Sequence, residues 1–143
     1  MTGPAGFFFN KLATLTSETY YLAMSSFIEE PWPGDWNRAS LGLCALQALT
    51  GGPSYGYAII TALEDAGLGT IKGGTLYPLL TRFETAGWVE VEWRAGESGP
   101  GRKYFALTAA GLTELDRQRK QWHTFTTRTT AFLATAPDRG VLQ

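Results

Sequence analysis

Arg82 lies in the segment whose residue types and spacing carry the most chemistry, Gly73-Gly74-Thr75-Leu76-Tyr77-Pro78-Leu79-Leu80-Thr81-Arg82-Phe83-Glu84. Leu76, Leu79, Leu80 and Phe83 recur at the i, i+3, i+4, i+7 spacing of a helix with one buried face. Thr75, Pro78, Thr81, Arg82 and Thr85 then share the other side. A face of small hydroxyl residues around one guanidinium suits insertion into a DNA groove, where Thr75 and Arg82 can reach phosphates or base edges. Pro78 lacks an N–H and crowds the turn before it. A cap at Gly74 or Thr75 places it in or beside the first turn, where N–H groups have no intrahelical partner anyway. Cations flank the segment: Lys72 before it, and Arg94, Arg102 and Lys103 after it.

Other chemistries lack their parts. Gly67-Leu68-Gly69-Thr70-Ile71-Lys72-Gly73 has the glycines of a phosphate-binding loop, but not its Gly-Lys-Ser/Thr ending, and it follows a helix rather than a strand. One cysteine and one histidine, Cys44 and His123, cannot assemble a four-ligand zinc site. No nucleophile, base and orienter form a set, and Glu90 and Glu92 have no second acidic pair opposite. Cys44 sits among leucines as a small buried hydrophobe, and His123 reads as a surface residue. We therefore expect no enzyme activity, no metal and no cofactor.

The elements that must position the reading segment follow from pattern. Trp88-Val89-Glu90-Val91-Glu92-Trp93 alternates apolar and acidic residues like a half-buried strand. Gly96-Glu97-Ser98-Gly99-Pro100-Gly101 is a turn-rich loop, and Arg102-Lys103-Tyr104-Phe105-Ala106-Leu107 a return strand, so residues 88–107 form a hairpin. Trp88 and Trp93 are read as core and hairpin residues. Thr108 caps a long helix running from Ala109 to about residue 133. Upstream, Trp36 to Leu49 is an almost wholly apolar helix with Leu41, Leu43, Cys44, Leu46 and Leu49. After the break Gly51-Gly52-Pro53, Ser54 caps a helix carrying Ile59, Ile60 and Leu63, and Gly67 is its stop. Helix, helix, hairpin is the layout of a winged helix-turn-helix.

Three motifs in this order make the family legible. Ser54-Tyr55-Gly56-Tyr57, Gly74-Thr75-Leu76-Tyr77-Pro78-Leu79-Leu80 and Gly101-Arg102-Lys103-Tyr104-Phe105-Ala106-Leu107-Thr108-Ala109-Ala110-Gly111 resemble the signature of PadR-type transcriptional regulators, from about Trp36 to about Leu133. The resemblance shares the long connection from Leu68 to Gly73. It implies a mainly α fold with a small β-hairpin wing, a double-stranded DNA partner and, most often, repression. The expected organisation is an N-terminal helical extension over 1–35, a winged-helix domain over 36–107, a C-terminal dimerisation helix over 108–134 and a flexible tail over 135–143. The DNA-binding set is Ser54, Tyr55, Tyr57, Lys72, Thr75, Tyr77, Arg82, Arg102 and Lys103. For the three tyrosines, core packing and phosphate contact stay open as alternatives.

The last helix supplies the second half of the expectation. Leu115, Trp122 and Thr129 recur every seven residues, with Gln118, Phe125 and Phe132 three positions after each. Such short, polar heptads do not make a free-standing coiled coil, but they give an apolar seam. A second copy of the chain is the natural partner, since most homo-oligomers are twofold dimers. Two reading helices would then meet half-sites one helical turn apart, ~34 Å, on a pseudo-palindromic operator. From its residues, Trp122 packs in that seam. The resemblance adds a second role, because some drug-sensing relatives stack planar ligands on a tryptophan there. That implies release from DNA by a small aromatic or drug-like effector, with Trp122, Phe125, Leu115 and Phe132 at the effector and dimer interface.

Composition sets limits around this reading. A chain of 143 residues with 44% apolar residues can bury one core. A single cysteine fits a reducing compartment, Phe7-Phe8-Phe9 is too short for a secretory signal, and no apolar run approaches a membrane span. A cytoplasmic protein without membrane contact is expected. The net charge of −1 is low for a DNA binder, but residues 1–36 carry −3 and residues 37–143 carry +2. Weak binding per subunit, made sufficient by dimerisation, follows. Glu90, Glu92 and Glu97 keep an alternative open: a winged helix used as a protein-interaction module without DNA binding. In the extension, Leu12, Leu15, Tyr20, Ala23, Met24, Phe27 and Ile28 form a loose apolar stripe ended by Pro31-Trp32-Pro33-Gly34. It is expected to pack across the dimer.

Overall fold

The computed structural model describes residues 19, 32–96 and 99–136. Most of the expected N-terminal extension, the wing-loop residues Glu97 and Ser98, and the tail from residue 137 lie outside the described residues.

Four helices and a small sheet make up the described chain. Helix α1 is Gly34–Ala48, strand β1 Ser54–Tyr55, helix α2 Gly56–Asp65 and helix α3 Gly73–Thr85. Strands β2 (Val89–Arg94) and β3 (Arg102–Leu107) form the hairpin, and helix α4 is Ala109–Leu133. The three strands are antiparallel in the order β1-β3-β2. β1 was not expected, because two residues carry no periodicity to read. Its partner is supplied from far along the chain, Ser54 pairing with Phe105 and Tyr55 with Tyr104. Ser54 is consequently held in this strand instead of capping α2; Tyr55 is the N-cap and makes no side-chain capping bond.

The helix-turn-helix is fixed by two matching stops. At the end of α2, Gly67 donates to the Glu64 carbonyl at 2.9 Å and Leu68 to the Leu63 carbonyl at 3.1 Å. At the end of α3, Gly87 donates to Glu84 at 3.0 Å and Trp88 to Phe83 at 2.9 Å. Both are Schellman closures. Both need the left-handed backbone found at Gly67 (φ 80°) and Gly87 (φ 78°), which costs a residue with a Cβ far more.

One core collects a face from every helix. Leu41, Ala45 and Leu46 of α1, Ile59 and Leu63 of α2, and Leu76, Leu80 and Phe83 of α3 are buried with Val89, Phe105 and Leu115. Burying each of the larger side chains contributes roughly 1.5–3 kcal/mol, enough to hold a short helix that would be marginal alone. Leu79 is half-buried against the same core. Leu115, expected at the dimer seam, is 1% exposed and packs inside its own protomer. The heptad that begins with it therefore turns inward at its first position and outward only later. Trp93 departs in the other direction. It shares the core face of β2 with Val89 and Val91, but the strand runs out past the core and leaves it 73% exposed.

Candidate nucleic-acid interface

Helix α3 begins one turn earlier than its hydroxyl pattern suggests. Lys72 is the N-cap, and its carbonyl accepts from Thr75 at 3.0 Å and Leu76 at 3.1 Å. Pro78 consequently sits in the second turn, where it withholds an N–H from the Gly74 carbonyl. The glycines at 73 and 74 make the early start possible, since they add helix without a side chain to place.

The solvent side of α3 divides into used and free hydroxyls. Thr81 donates to the Tyr77 carbonyl and Thr85 to the Thr81 carbonyl, each at 3.1 Å. The Thr75 hydroxyl has no such bond among the described residues. Arg82 and Lys72 are exposed and without an ion-pair partner among the described residues. Thr75, Arg82 and Lys72 thus stand ready to donate outward.

Tyr77 ties α3 to the start of α2. Its phenol lies so close to Gly56 that a Cβ there would collide with the hydroxyl and the ring. Tyr77 remains 47% exposed, so the ring is held at the surface between the two helices. It is neither a core residue nor a free one. Tyr57, the second residue of α2, is 71% exposed. Ser54 and Tyr55 are half-buried in β1 beside β3.

The two wing cations expected to act together point to opposite faces of β3. Arg102 lies on the outer face, 4.7 Å above the ring of Tyr55. Lys103 turns toward α3, with its Nζ 3.8 Å from Glu84 Oε2 and 5.4 Å from the centre of the Phe105 ring. Its charge is partly answered by a carboxylate of α3, across a part-exposed ion pair. Two residues outside the expected set complete the outer face: Arg94, 4.3 Å above Tyr104, and Tyr104 itself, 5.3 Å from Tyr55. The alternation of Arg102, Tyr104 and Ala106 against Lys103, Phe105 and Leu107 was the available signal for them.

On α4, Trp122 and Phe125 come together with ring centroids 6.1 Å apart. They border an open groove of about 270 Å³ against Ala39 and Leu43 of α1. Its polar edge is a network in which Arg117 donates to Glu114 at 2.5 Å and to Gln121 at 2.9 Å, and Gln118 donates to Glu114 at 2.8 Å. Hydrogen bonds from Arg117 and then Gln118 pull the Glu114 carboxyl down to about 2. Phe125 and Phe132 are 61% and 76% exposed, and neither Phe132 nor Leu115 lines this groove. Burial raises the pKa of Cys44, which keeps its thiol protonated and unreactive. No helix of the described residues is long and apolar enough to cross a membrane.

Two helices joined by a tight stop and connection, the second with exposed donors, and a hairpin packed against it define a winged helix-turn-helix. The model of the Transcriptional regulator PadR-like family matches residues 45–117. A PadR family transcriptional regulator from Eggerthella lenta is 33% identical in sequence, with a TM-score of 0.64 over 84% of this chain and 100% of that one. A PadR-like transcriptional regulator from Bacillus cereus is 29% identical, with a TM-score of 0.61 over 69% and 96%. No curated protein matches the chain. The chain belongs to the PadR-like family of transcriptional regulators, and that membership supports a DNA-binding regulator.

Proposed function

We propose that this regulator is a sequence-specific repressor that binds a pseudo-palindromic operator as a homodimer and leaves it when a small planar aromatic molecule binds. One observation carries the DNA reading: the exposed side of α3 and its N-cap offer Thr75, Arg82 and Lys72 with no partner among the described residues, beside the part-exposed Tyr77. In this reading α3 enters the major groove, Tyr57, Tyr77 and the Ser54–Tyr55 strand face the phosphates, and the hairpin follows the backbone. Lys103 acts at second hand, through its ion pair with Glu84 of α3. The winged-helix part spans 36–107 and α4 is the dimerisation element.

The dimer is supported by what α4 leaves uncovered. Phe125, Phe132 and Leu133 are exposed together along its C-terminal half, an apolar stretch that a monomer would show to water. A second copy covers it without requiring another protein. The groove between Trp122 and α1 then lies beside the seam, where a flat ligand could choose between two arrangements of the protomers. A ligand that favours the arrangement unable to span both half-sites lowers DNA affinity by its preference for that state.

The test is an electrophoretic shift titration of the protein against the intergenic DNA upstream of its own gene, at two salt concentrations, with an unrelated duplex as control. Selective binding that weakens with salt, and is reduced by Arg82→Ala, is the expected result. Absence of selective binding at low salt would overturn repression of its own promoter. No affinity for any duplex at low salt would favour the second reading, a protein-interaction module without DNA binding, for which exposed Trp93 and Tyr57 speak.

A further inference from the structure

Arg94 and Arg102 are partners across β2 and β3, and like charges set opposite each other on a sheet repel. Each guanidinium is nevertheless seated on an aromatic ring, Arg94 over Tyr104 at 4.3 Å and Arg102 over Tyr55 at 4.7 Å. The two rings are 5.3 Å apart because β1 registers Tyr55 opposite Tyr104. Two cations therefore lie over an aromatic pair, and a cleft lined by Arg94, Arg102, Tyr104 and the wing-loop residues 95, 96 and 99–101 opens beside them. Stacking occupies a guanidinium's face and leaves its edge, with the N–H donors, free to turn outward. Only Arg94 has a counter-charge among the described residues, donating to Glu92 Oε2 through two nitrogens at 3.2 and 3.1 Å.

We propose that Arg94 and Arg102, positioned by Tyr104 and Tyr55, form a clamp for one backbone phosphate of duplex DNA, with Glu92 as the built-in competitor that holds Arg94 until the phosphate arrives. This rests on the DNA-binding reading above. An anion between the arginines answers both charges, of which Glu92 answers only that of Arg94 in the free protein, and planar guanidinium edges match phosphate oxygens two at a time. Arg94 and Tyr104 are thereby brought into the interface, Arg94 as a contact and Tyr104 as a positioning residue.

The probe is a labelled duplex of the same upstream intergenic sequence, followed by fluorescence anisotropy over a salt series. Arg94→Ala should reduce the slope of log K against log salt by about 0.9, the loss of one phosphate contact. Tyr104→Leu should weaken binding roughly two- to fivefold, while Tyr104→Phe, which keeps the ring, binds as the parent does. Glu92→Gln should tighten binding by freeing Arg94. Parent binding that falls with salt, together with an unchanged slope in Arg94→Ala, would overturn the clamp and leave the DNA-binding reading intact. No salt-dependent binding by the parent protein would overturn both. Arg94 is exposed on the sheet, so its variant decides the matter even if circular dichroism shows that Tyr104→Leu fails to fold.

Discussion

Adding one methyl group at Gly56 should reveal how the reading helix is seated. Alanine at the first position of α2 would by itself stabilise the helix by roughly 0.5–1 kcal/mol relative to glycine. Here the new Cβ would overlap the Tyr77 hydroxyl and ring, 2.5 Å from its Cζ. Overpacking of this kind costs about 1–3 kcal/mol where the neighbours cannot move. Tyr77 is part-exposed and can swing outward, which places the cost near the lower end and takes its phenol away from the DNA-facing surface. Gly56→Ala should therefore lose no more than about 0.5 kcal/mol net, a fall in Tm of about 2 °C or less for a chain of this size, and should bind DNA several-fold more weakly. In a Tyr77→Ala background the three atoms nearest the methyl are gone, so it should be neutral or stabilising. The assay is a double-mutant cycle by thermal denaturation at fixed protein concentration, with the operator titration alongside. A coupling of about 1–2 kcal/mol is expected for residues in direct contact. Additive effects within about 0.5 kcal/mol would refute the steric account.

Three other outcomes follow from the same geometry. Thr108→Ala removes the hydroxyl that accepts from Gly111 at 3.0 Å and should cost about 1 kcal/mol or more of stability in denaturant unfolding. The Glu114 carboxyl is held at about 2, below the ordinary 4.5, by hydrogen bonds from Arg117 and Gln118, so its contribution is present above pH 4.5 and is lost as pH falls toward 2. Melting curves across that acid range should fall more steeply for the parent than for Glu114→Gln, and parallel curves would remove that role. Phe125→Ser together with Phe132→Ser should shift the sedimentation profile toward monomer and weaken operator binding, while the circular dichroism of the fold is retained.

What the sequence disclosed was what is local. Thr108 announced the start of α4, and the helix runs over the expected residues 109–133, because a cap and its first turn are written in consecutive positions. The 3.6-residue spacing of Leu76, Leu80 and Phe83 found the buried face of α3 for the same reason. Its first residue was misplaced because Gly73 and Gly74 have no side chains to betray a turn. Features set by distant partners were hidden. β1 exists only because β3 pairs with it, and Lys103 gained a carboxylate partner only when Glu84 was brought opposite. Leu115 left the seam because α4 packs on α1, and Trp93 left the core because the hairpin outruns it.

Thr108 has one more bond, and it bears on how force would travel. Its hydroxyl donates to the Gly87 carbonyl at 2.6 Å, and its N–H donates to the Trp88 carbonyl at 3.0 Å. The segment that leaves α3 and the cap of α4 are thus riveted at one residue. Helix α4, with 25 residues, is a lever of roughly 37 Å at ~1.5 Å per residue. A tilt of about five degrees about its far end would carry the riveted end some ~3 Å, on the order of a single base-pair step. If the protomer turns as one body about the far end, its core contacts are kept while, in the proposed dimer, α3 shifts by about one base-pair step against its half-site.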